Sequence, residues 1–131
     1  MGVQWAKIAS VTTTGSAGSA TGDSGTVSAI GSNPLPSGTL YAIYIDFTSM
    51  PATTDVTISE VLPTGALRTL LITTNVNTDG VFLVQLANAT VAGAAGTGFV
   101  YPVVGGSFKV TVAQADALAD AVAVYMMIAP F

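Results

Sequence analysis

Apolar and polar residues alternate along most of the chain, with the period of two that is typical of half-buried β-strands. In the clearest example, Phe108, Val110 and Val112 are separated by the polar residues Lys109 and Thr111. We expect the three apolar side chains to point into a core and the two polar ones to face solvent. No segment shows the period of about 3.6 residues that marks an amphipathic helix. The pattern therefore predicts an all-β protein.

About eight short segments carry this strand pattern, and turn-forming glycine and proline residues separate them. The segments are residues 3–14, 26–30, 39–47, 55–61, 67–74, 81–86, 107–113 and 121–128, with a further short extended piece at 99–103. Short strands at such regular spacing are typical of a β-sandwich. We therefore predict that residues 1–131 form a single β-sandwich of about eight antiparallel strands, jelly-roll-like, with an immunoglobulin-like sandwich as the alternative.

The strand predicted at residues 39–47 is apolar on both of its faces. One face would carry Tyr41, Ile43, Ile45 and Phe47, and the other would carry Leu40, Ala42 and Tyr44. A strand with one solvated face would instead have polar residues at every second position. We therefore expect this strand to be covered on both sides, or to lie at a contact between subunits.

Turn and loop signals divide the rest of the sequence. Residues 77–80 read Asn-Thr-Asp-Gly. Because Asp-Gly is a strong hairpin signal, we expect the strands at 67–74 and 81–86 to pair with each other. Small residues such as glycine, alanine and threonine dominate residues 12–25 and 87–98. This low-complexity composition predicts a flexible segment at 12–25 and an extended loop at 87–98.

Composition excludes several classes of activity. The chain has no cysteine and no histidine, which rules out disulfides, thiol nucleophiles, histidine bases and the usual zinc sites. It has three basic and seven acidic residues, for a net charge of −4. Three scattered cations cannot form the basic surface that nucleic acid requires, and no apolar run approaches the ~20 residues of a membrane-spanning helix. We therefore expect no cofactor, no nucleic-acid partner and no membrane partner.

The same composition favours self-association. Half of the residues are hydrophobic, only 8% are charged, and the mean hydropathy is +0.67. Surface charge is what keeps soluble proteins apart, so a monomer of this composition would be poorly soluble. We expect a homo-oligomer, in which copies of the chain cover part of each other's apolar surface.

The acidic residues offer few candidates for chemistry. Asp46 stands out because it lies near the end of an apolar strand, and Asp116 and Asp120 could share a calcium ion with backbone carbonyls. No EF-hand-like spacing accompanies this pair, and the glycine-rich residues 93–98 lack the Gly-Lys-Ser/Thr of a phosphate-binding loop. We expect the acids to be structural or solvent-facing, with no catalytic residue and no metal site.

Four aromatic residues are candidates for an interface. Trp5, Tyr44 and Tyr101 lie off the inward pattern of their segments, so they are free to contact a partner or to stack on sugar rings. Phe131 is the fourth, because a terminal apolar residue after a proline often docks on a neighbouring surface. Several of the other aromatic residues alternate along their strands, as expected of core positions.

A recognisable order of strand and turn motifs runs from residue 39 to residue 128. In chain order these are Ala42-Ile43-Tyr44-Ile45-Asp46, Thr54-Asp55-Val56-Thr57-Ile58, Asn77-Thr78-Asp79-Gly80, then residues 101–115 with Pro102-Val103-Val104-Gly105 and Lys109-Val110-Thr111-Val112-Ala113, and finally residues 119–125. Through these motifs the chain resembles the small β-sandwich structural proteins of tailed bacteriophages. It departs from their pattern in the segment 12–25 and in the loop 87–98.

The resemblance implies a virion protein, and most directly a capsid decoration or cement protein on the outside of a phage head. Such a protein would bind the major capsid protein as a homo-oligomer, with a trimer favoured over a dimer, and brace neighbouring capsid subunits. It would be made in the host cytoplasm, in keeping with the lack of a leucine-rich segment typical of a signal peptide near the N-terminus.

Two other functions remain as alternatives. The first is a phage head-fibre, neck or tail-associated module that recognises a surface glycan through exposed aromatic and acidic side chains. The second is an enzyme such as a carbohydrate hydrolase, which would have to work with Asp and Glu alone. The missing histidine and cysteine make the enzyme the least favoured of the three.

Overall fold

The computed structural model describes residues 4–89 and 95–131, and this part of the chain consists of β-strands joined by turns. The prediction of an all-β protein is confirmed. The strands of the described ranges are β1 (Gln4–Thr13), β2 (Ala20–Asp23), β3 (Ala29–Ile30), β4 (Asn33–Pro34), β5 (Gly38–Phe47), β6 (Asp55–Val61), β7 (Leu67–Thr73), β8 (Gly80–Leu83), β9 (Leu86–Ala89), β10 (Ala95–Val100), β11 (Val103–Val104), β12 (Phe108–Ala115) and β13 (Leu118–Pro130).

Most of these strands belong to two antiparallel sheets. In sheet I, β13 lies between β1 and β5, and both β8 and β11 pair with the other edge of β5. In sheet II the strand order is β2-β12-β6-β7. Two short pairs, β3–β4 and β9–β10, complete the described part of the chain.

One hydrophobic core lies between the two sheets. Its members include Ile8, Val11, Ile43, Ile45, Val122, Val124, Met126 and Ile128 from sheet I, and Val56, Ile58, Leu70, Phe108, Val110 and Val112 from sheet II. The alternating inward positions predicted for β12 and β13 are therefore confirmed. Phe108 is among the largest fully buried side chains, and burial of one such ring contributes roughly 2–3 kcal/mol.

The strand pairs are nested along the chain. β1 pairs with β13, β2 with β12, β5 with β8, and β6 with β7. The first four of these strands therefore run antiparallel to the last four, as in one long folded-back ribbon. The pairs β5–β13 and β6–β12 then join the ribbon into two sheets. As a result, β1 and β2 lie in different sheets, and so do β5 and β6.

Residues 12–25, where the composition predicts flexibility, form the corner at which the chain crosses from sheet I to sheet II. Thr14 and Thr21 exchange backbone hydrogen bonds of 2.9 and 3.0 Å, and β2 follows directly on the edge of sheet II. The Asp116 carboxylate accepts a hydrogen bond of 2.8 Å from the backbone N–H of Gly18. The small side chains in this segment thus serve a close turn with paired backbone.

The predicted loop at 87–98 is built differently in its described parts. β9 and β10 pair as antiparallel strands, with Ala87 opposite Phe99 and Ala89 opposite Ala95. Residues 90–94 lie outside the described residues, so the glycine-rich stretch 93–98 is only partly described.

The Asp-Gly signal at residues 77–80 does not produce the predicted hairpin. β7 pairs with β6 in sheet II, whereas β8 pairs with β5 in sheet I, so the strands beside this turn never meet. Asp79 accepts a hydrogen bond of 2.7 Å from the backbone N–H of Phe47. The Asn77 amide donates to the Met50 carbonyl at 2.9 Å. The turn residues therefore tie a crossover between sheets to the end of β5.

A β-bulge changes the predicted faces of β5. Met127 of β13 pairs with Ala42, and the next residue, Ile128, pairs with Leu40, so Tyr41 is the extra residue. Leu40 is fully buried, while Tyr41 is only half-buried. The prediction that Tyr41 shares a face with Ile43 and Ile45 is wrong because one extra residue reverses the alternation along the strand.

Gly22 in β2 lies directly against β1. A Cβ atom at this position would collide with the backbone carbonyl oxygen of Thr12 and lie 3.2 Å from the Cγ1 atom of Val11. Backbone atoms cannot swing aside as the end of a flexible side chain can. A residue without a side chain is therefore required at this corner.

Gly22→Ala is expected to lower the free energy of unfolding by about 2 kcal/mol, because the new methyl group forces β1 and β2 apart. Urea unfolding followed by circular dichroism measures the effect. Gly105→Ala is the matched control, since a Cβ there would meet the Glu60 carboxylate at an ordinary 3.6 Å. Equal losses of stability in the two variants would contradict the close approach of the strands.

Candidate functional site

The outer face of sheet I carries two rows of side chains that run across its strands. Residues paired in register share a face, because side chains alternate along each strand. From β1 to β8, one row is Lys7, Tyr125, Tyr44 and Val81, and the next row is Trp5, Met127, Ala42 and Leu83. Ala42 is buried although it lies on this face. The apolar outer face predicted for the strand at 39–47 is therefore partly covered by neighbouring side chains.

Three rings of these rows, Trp5, Tyr44 and Tyr125, form an aromatic cluster. The ring centroids of Trp5 and Tyr44 are 6.2 Å apart at an interplanar angle of 67°, and those of Tyr44 and Tyr125 are 5.9 Å apart at 52°. Rings at such angles make walls rather than one flat platform. Together with Asp46 and Val81 they line an open concavity of about 390 Å³.

Two carboxylates give this concavity a negative character. Asp79 accepts hydrogen bonds from the Phe47 backbone N–H at 2.7 Å and from the Tyr44 hydroxyl at 3.5 Å. Asp46 lines the concavity itself, and within the described residues its carboxylate has neither a hydrogen bond nor an ion pair. Partial burial, followed by the charges of Asp79 and Asp46, raises the pKa of Tyr44 above its ordinary value of 10.0.

Exposed apolar side chains border the aromatic cluster. On β8, at the open edge of sheet I, Val81 is 57% exposed and Leu83 is 72% exposed. On β1, Trp5 is 41% exposed despite its contact with Tyr44. Large apolar side chains that remain exposed side by side commonly mark a surface that contacts a partner.

A second exposed apolar surface, the end region, lies where β5 begins. It comprises Val103 and Phe131, and Phe131 is 86% exposed. Val103 pairs with Thr39 of β5, while the backbone N–H of Phe131 donates to the Ser37 carbonyl at 3.4 Å. These contacts place the two exposed side chains beside the first residues of β5.

An ion pair neutralises the charges next to the end region. Arg68 lies 2.6 Å from a carboxylate oxygen of Glu60, which is buried, and it also donates to the Val103 carbonyl at 2.7 Å. The second Glu60 oxygen accepts a hydrogen bond of 2.7 Å from the backbone N–H of Gly105. The end region is therefore apolar and charge-compensated, unlike the face of sheet I.

The structure places three of the four predicted interface residues on these two surfaces. It brings Trp5 and Tyr44 into contact on sheet I, and it places Phe131 in the end region. Tyr101 packs edge-on against Tyr41 with ring centroids 4.8 Å apart, away from the aromatic cluster. The four residues thus do not form one site.

Sequence reasoning missed three members of the face of sheet I. Tyr125 lies between the inward residues Val124 and Met126, so its outward direction was readable from the alternation of β13. Val81 and Leu83 gave no such signal, because their place beside Tyr44 follows from the pairing of β8 with β5. The sequence around β8 does not indicate which strand β8 pairs with.

The other two acidic candidates, Asp116 and Asp120, contact the chain near the end of β1. Asp116 caps the turn at Gly18 through its carboxylate, and the backbone N–H of Asp120 donates to the Thr12 hydroxyl at 3.2 Å. Within residues 4–89 and 95–131, no three Asp or Glu side chains are grouped closely enough to hold a metal ion. The same ranges contain no helix long and apolar enough to cross a membrane.

Comparisons with protein-family models, with curated proteins and with solved structures find no match to this chain. The two surfaces are therefore interpreted from their own chemistry. The face of sheet I combines angled aromatic rings with uncompensated carboxylates, whereas the end region is apolar and neutral.

Above pH 10 the raised pKa of Tyr44 is expected to reduce stability. The unfolded chain loses the Tyr44 proton first, so this group's contribution is complete below pH 10.0 and is lost as the pH rises through the folded pKa. The ultraviolet absorbance titration of the wild type, minus that of Tyr44→Phe, isolates the group. Asp79→Asn should bring the Tyr44 midpoint down, and an unchanged midpoint would contradict the assigned charge effect.

Proposed function

We propose that the protein is a virion structural protein: a capsid decoration protein that binds the outer surface of a bacteriophage head and stabilises contacts between capsid subunits. The observation that carries this proposal is the pair of exposed apolar surfaces on a two-sheet frame that has very few charges. Each surface suits a contact with another protein. The resemblance of residues 39–128 to phage structural proteins is the reason for proposing a phage capsid as the partner.

The nested strand pairs support a jelly-roll interpretation of the sandwich. A jelly roll is a ribbon of eight antiparallel strands rolled into two sheets, an architecture common in viral capsid proteins and in lectins. The pairs β1–β13, β2–β12, β5–β8 and β6–β7 have this order. In the immunoglobulin-like alternative the first two strands share a sheet, whereas β1 and β2 lie in different sheets. We therefore favour the jelly roll.

The two surfaces differ in charge, and this suggests a division of roles. The end region has its Arg68 charge compensated by Glu60, so identical copies can meet there without repulsion. The face of sheet I carries Asp46 and Asp79, which favours a partner of different charge. We assign the end region to a homo-oligomer, with a trimer favoured, and the face of sheet I to the major capsid protein.

The proposed mechanism is stabilisation by mass action. A protein that binds the assembled shell and not its free subunits stabilises the shell by RT ln(1 + [L]/Kd) for each occupied site. This mechanism needs no cofactor and no catalytic residue. Repetition over a capsid lattice makes a modest gain at each site large for the whole particle.

A glycan-binding module of a head fibre, neck or tail remains the second candidate function. The aromatic cluster and its neighbouring carboxylates are the observation that favours it, because sugar-binding surfaces combine aromatic rings with acidic side chains. A glycan array probed with the full chain, beside the capsid assay described next, separates the two functions.

Leu83→Asp is expected to abolish co-sedimentation with phage capsids that lack the protein, because it places a charge in the exposed apolar border of sheet I. Its solution mass by light scattering should not change. Leu83 is 72% exposed, so the variant should also keep the wild-type melting temperature. Full capsid binding by this variant would exclude the face of sheet I as the capsid contact.

The double variant Val103→Ser, Phe131→Ser tests the end region and is the reciprocal control. It removes exposed apolar surface without adding charge, so the solution mass should fall from that of a trimer toward 13.1 kDa. Light scattering during size exclusion at two concentrations measures this change. A wild-type mass in this variant would show that the end region is not the contact between copies.

A further inference from the structure

The concavity on sheet I has the chemistry of a cation site. The side chains of Trp5, Tyr44 and Tyr125 line it together with the Asp46 carboxylate. Cations are attracted to the faces of tryptophan and tyrosine rings, and more strongly when a carboxylate lies beside the rings. Asp46 is only half-buried and, within the described residues, has no hydrogen bond or ion pair of its own. Its charge is therefore available to a ligand.

A second carboxylate strengthens the negative potential. Asp79 reaches the Tyr44 hydroxyl at 3.5 Å, so two negative charges act on the same ring. The raised pKa of Tyr44 agrees with this geometry, because a negative surrounding opposes ionisation of the phenol. Lys7 lies in the row beside Tyr125 but does not line the concavity.

We propose that this concavity binds the guanidinium group of an arginine side chain presented by a partner protein. A guanidinium group is planar, stacks on aromatic faces and donates several hydrogen bonds to a carboxylate. The ring walls and Asp46 offer both kinds of contact within one concavity of about 390 Å³. An ammonium group would use the same charge but lacks the planar stacking surface.

A second copy of the chain cannot supply this arginine. The sequence has three basic residues, Lys7, Arg68 and Lys109, so Arg68 is its arginine. Arg68 is held at 2.6 Å from Glu60 and at 2.7 Å from the Val103 carbonyl, next to the end region. With a net charge of −4, two copies would also repel each other at a surface that carries Asp46 and Asp79.

A saccharide fits the geometry less well than a guanidinium group. Sugar rings stack on one broad exposed ring, with several polar side chains around it to orient the hydroxyls. The rings here are inclined at 67° and 52° to each other, and the lining contains no amide side chain. The saccharide is therefore kept as an outcome of the test.

The identity of the partner rests on the proposed function, in which the major capsid protein contacts this face. The chemistry of the site does not rest on it, since the rings and carboxylates belong to this chain alone. A small peptide can therefore test the site without any capsid.

Trp5 is the chain's single tryptophan, so its fluorescence reports directly on the concavity. We would titrate the full chain with acetyl-Gly-Arg-Gly-amide and with the matching peptide that carries neutral citrulline. The arginine peptide should change the Trp5 emission saturably, with a dissociation constant on the order of millimolar. N-acetyltryptophanamide corrects for collisional quenching. A response equal to that of the citrulline peptide would overturn the proposal, as would no saturable response.

Two substitutions that change the charge near the concavity in opposite directions extend the test. Asp46→Asn removes a charge and keeps the shape, so the arginine peptide should bind about threefold more weakly. Lys7→Gln removes a nearby positive charge, so the same peptide should bind more tightly. Unchanged affinity in Asp46→Asn would contradict the assigned role of this carboxylate. A saturable response to a hexose oligosaccharide in place of the arginine peptide would favour the glycan-binding function instead.

Competition separates this inference from the proposed function. Excess arginine peptide should displace the protein from capsids, while the citrulline peptide should not. If the protein binds capsids but the arginine peptide does not bind the protein, the arginine site is wrong and the decoration function stands. If the peptide binds the protein but the protein does not bind capsids, the arginine site stands and the decoration function is wrong.

Discussion

The pairing of β5 with β13 is the interaction on which the rest of the structure depends. β13 is the longest strand of sheet I and β5 is as long as β1, and β5 and β13 pair along nearly the whole length of β5. Because side chains alternate with a period of two, a slip of β5 by one residue would turn Tyr44 inward and expose Ile43 and Ile45. The burial of these isoleucines therefore fixes the register, and the register in turn assembles the outer face.

The bulge opposite Met127 shifts the register of β5 against β13 by one residue near the start of β5. Beyond it, Leu40 takes an inward position that strict alternation would have given to Tyr41. The displaced Tyr41 ring then packs on Tyr101, which links β5 to the segment before β11. One extra residue thus separates the aromatic residues into two groups: the cluster on sheet I and the pair near the start of β5.

Local patterns predicted what depends on local structure. The all-β class and the inward residues of β12 and β13 followed from alternation, which needs no knowledge of the partner strand. The proposed hairpin at Asp79 failed because the preference of a turn says nothing about which sheet the next strand joins. The bulge at Tyr41 was equally invisible, since it is defined by the register of β13 against β5.

The same limit applied to the candidate site. Trp5 and Tyr44 were identified one at a time, by their departure from the inward pattern, but nothing local placed them 6.2 Å apart. Their contact requires β13 to lie between β1 and β5, which joins residues more than a hundred positions apart in the chain. Tyr125 joins the cluster for the same reason, through its contact with Tyr44. A surface of this kind exists only once the first and last strands pair, so any ligand that binds there also stabilises the closure of the fold.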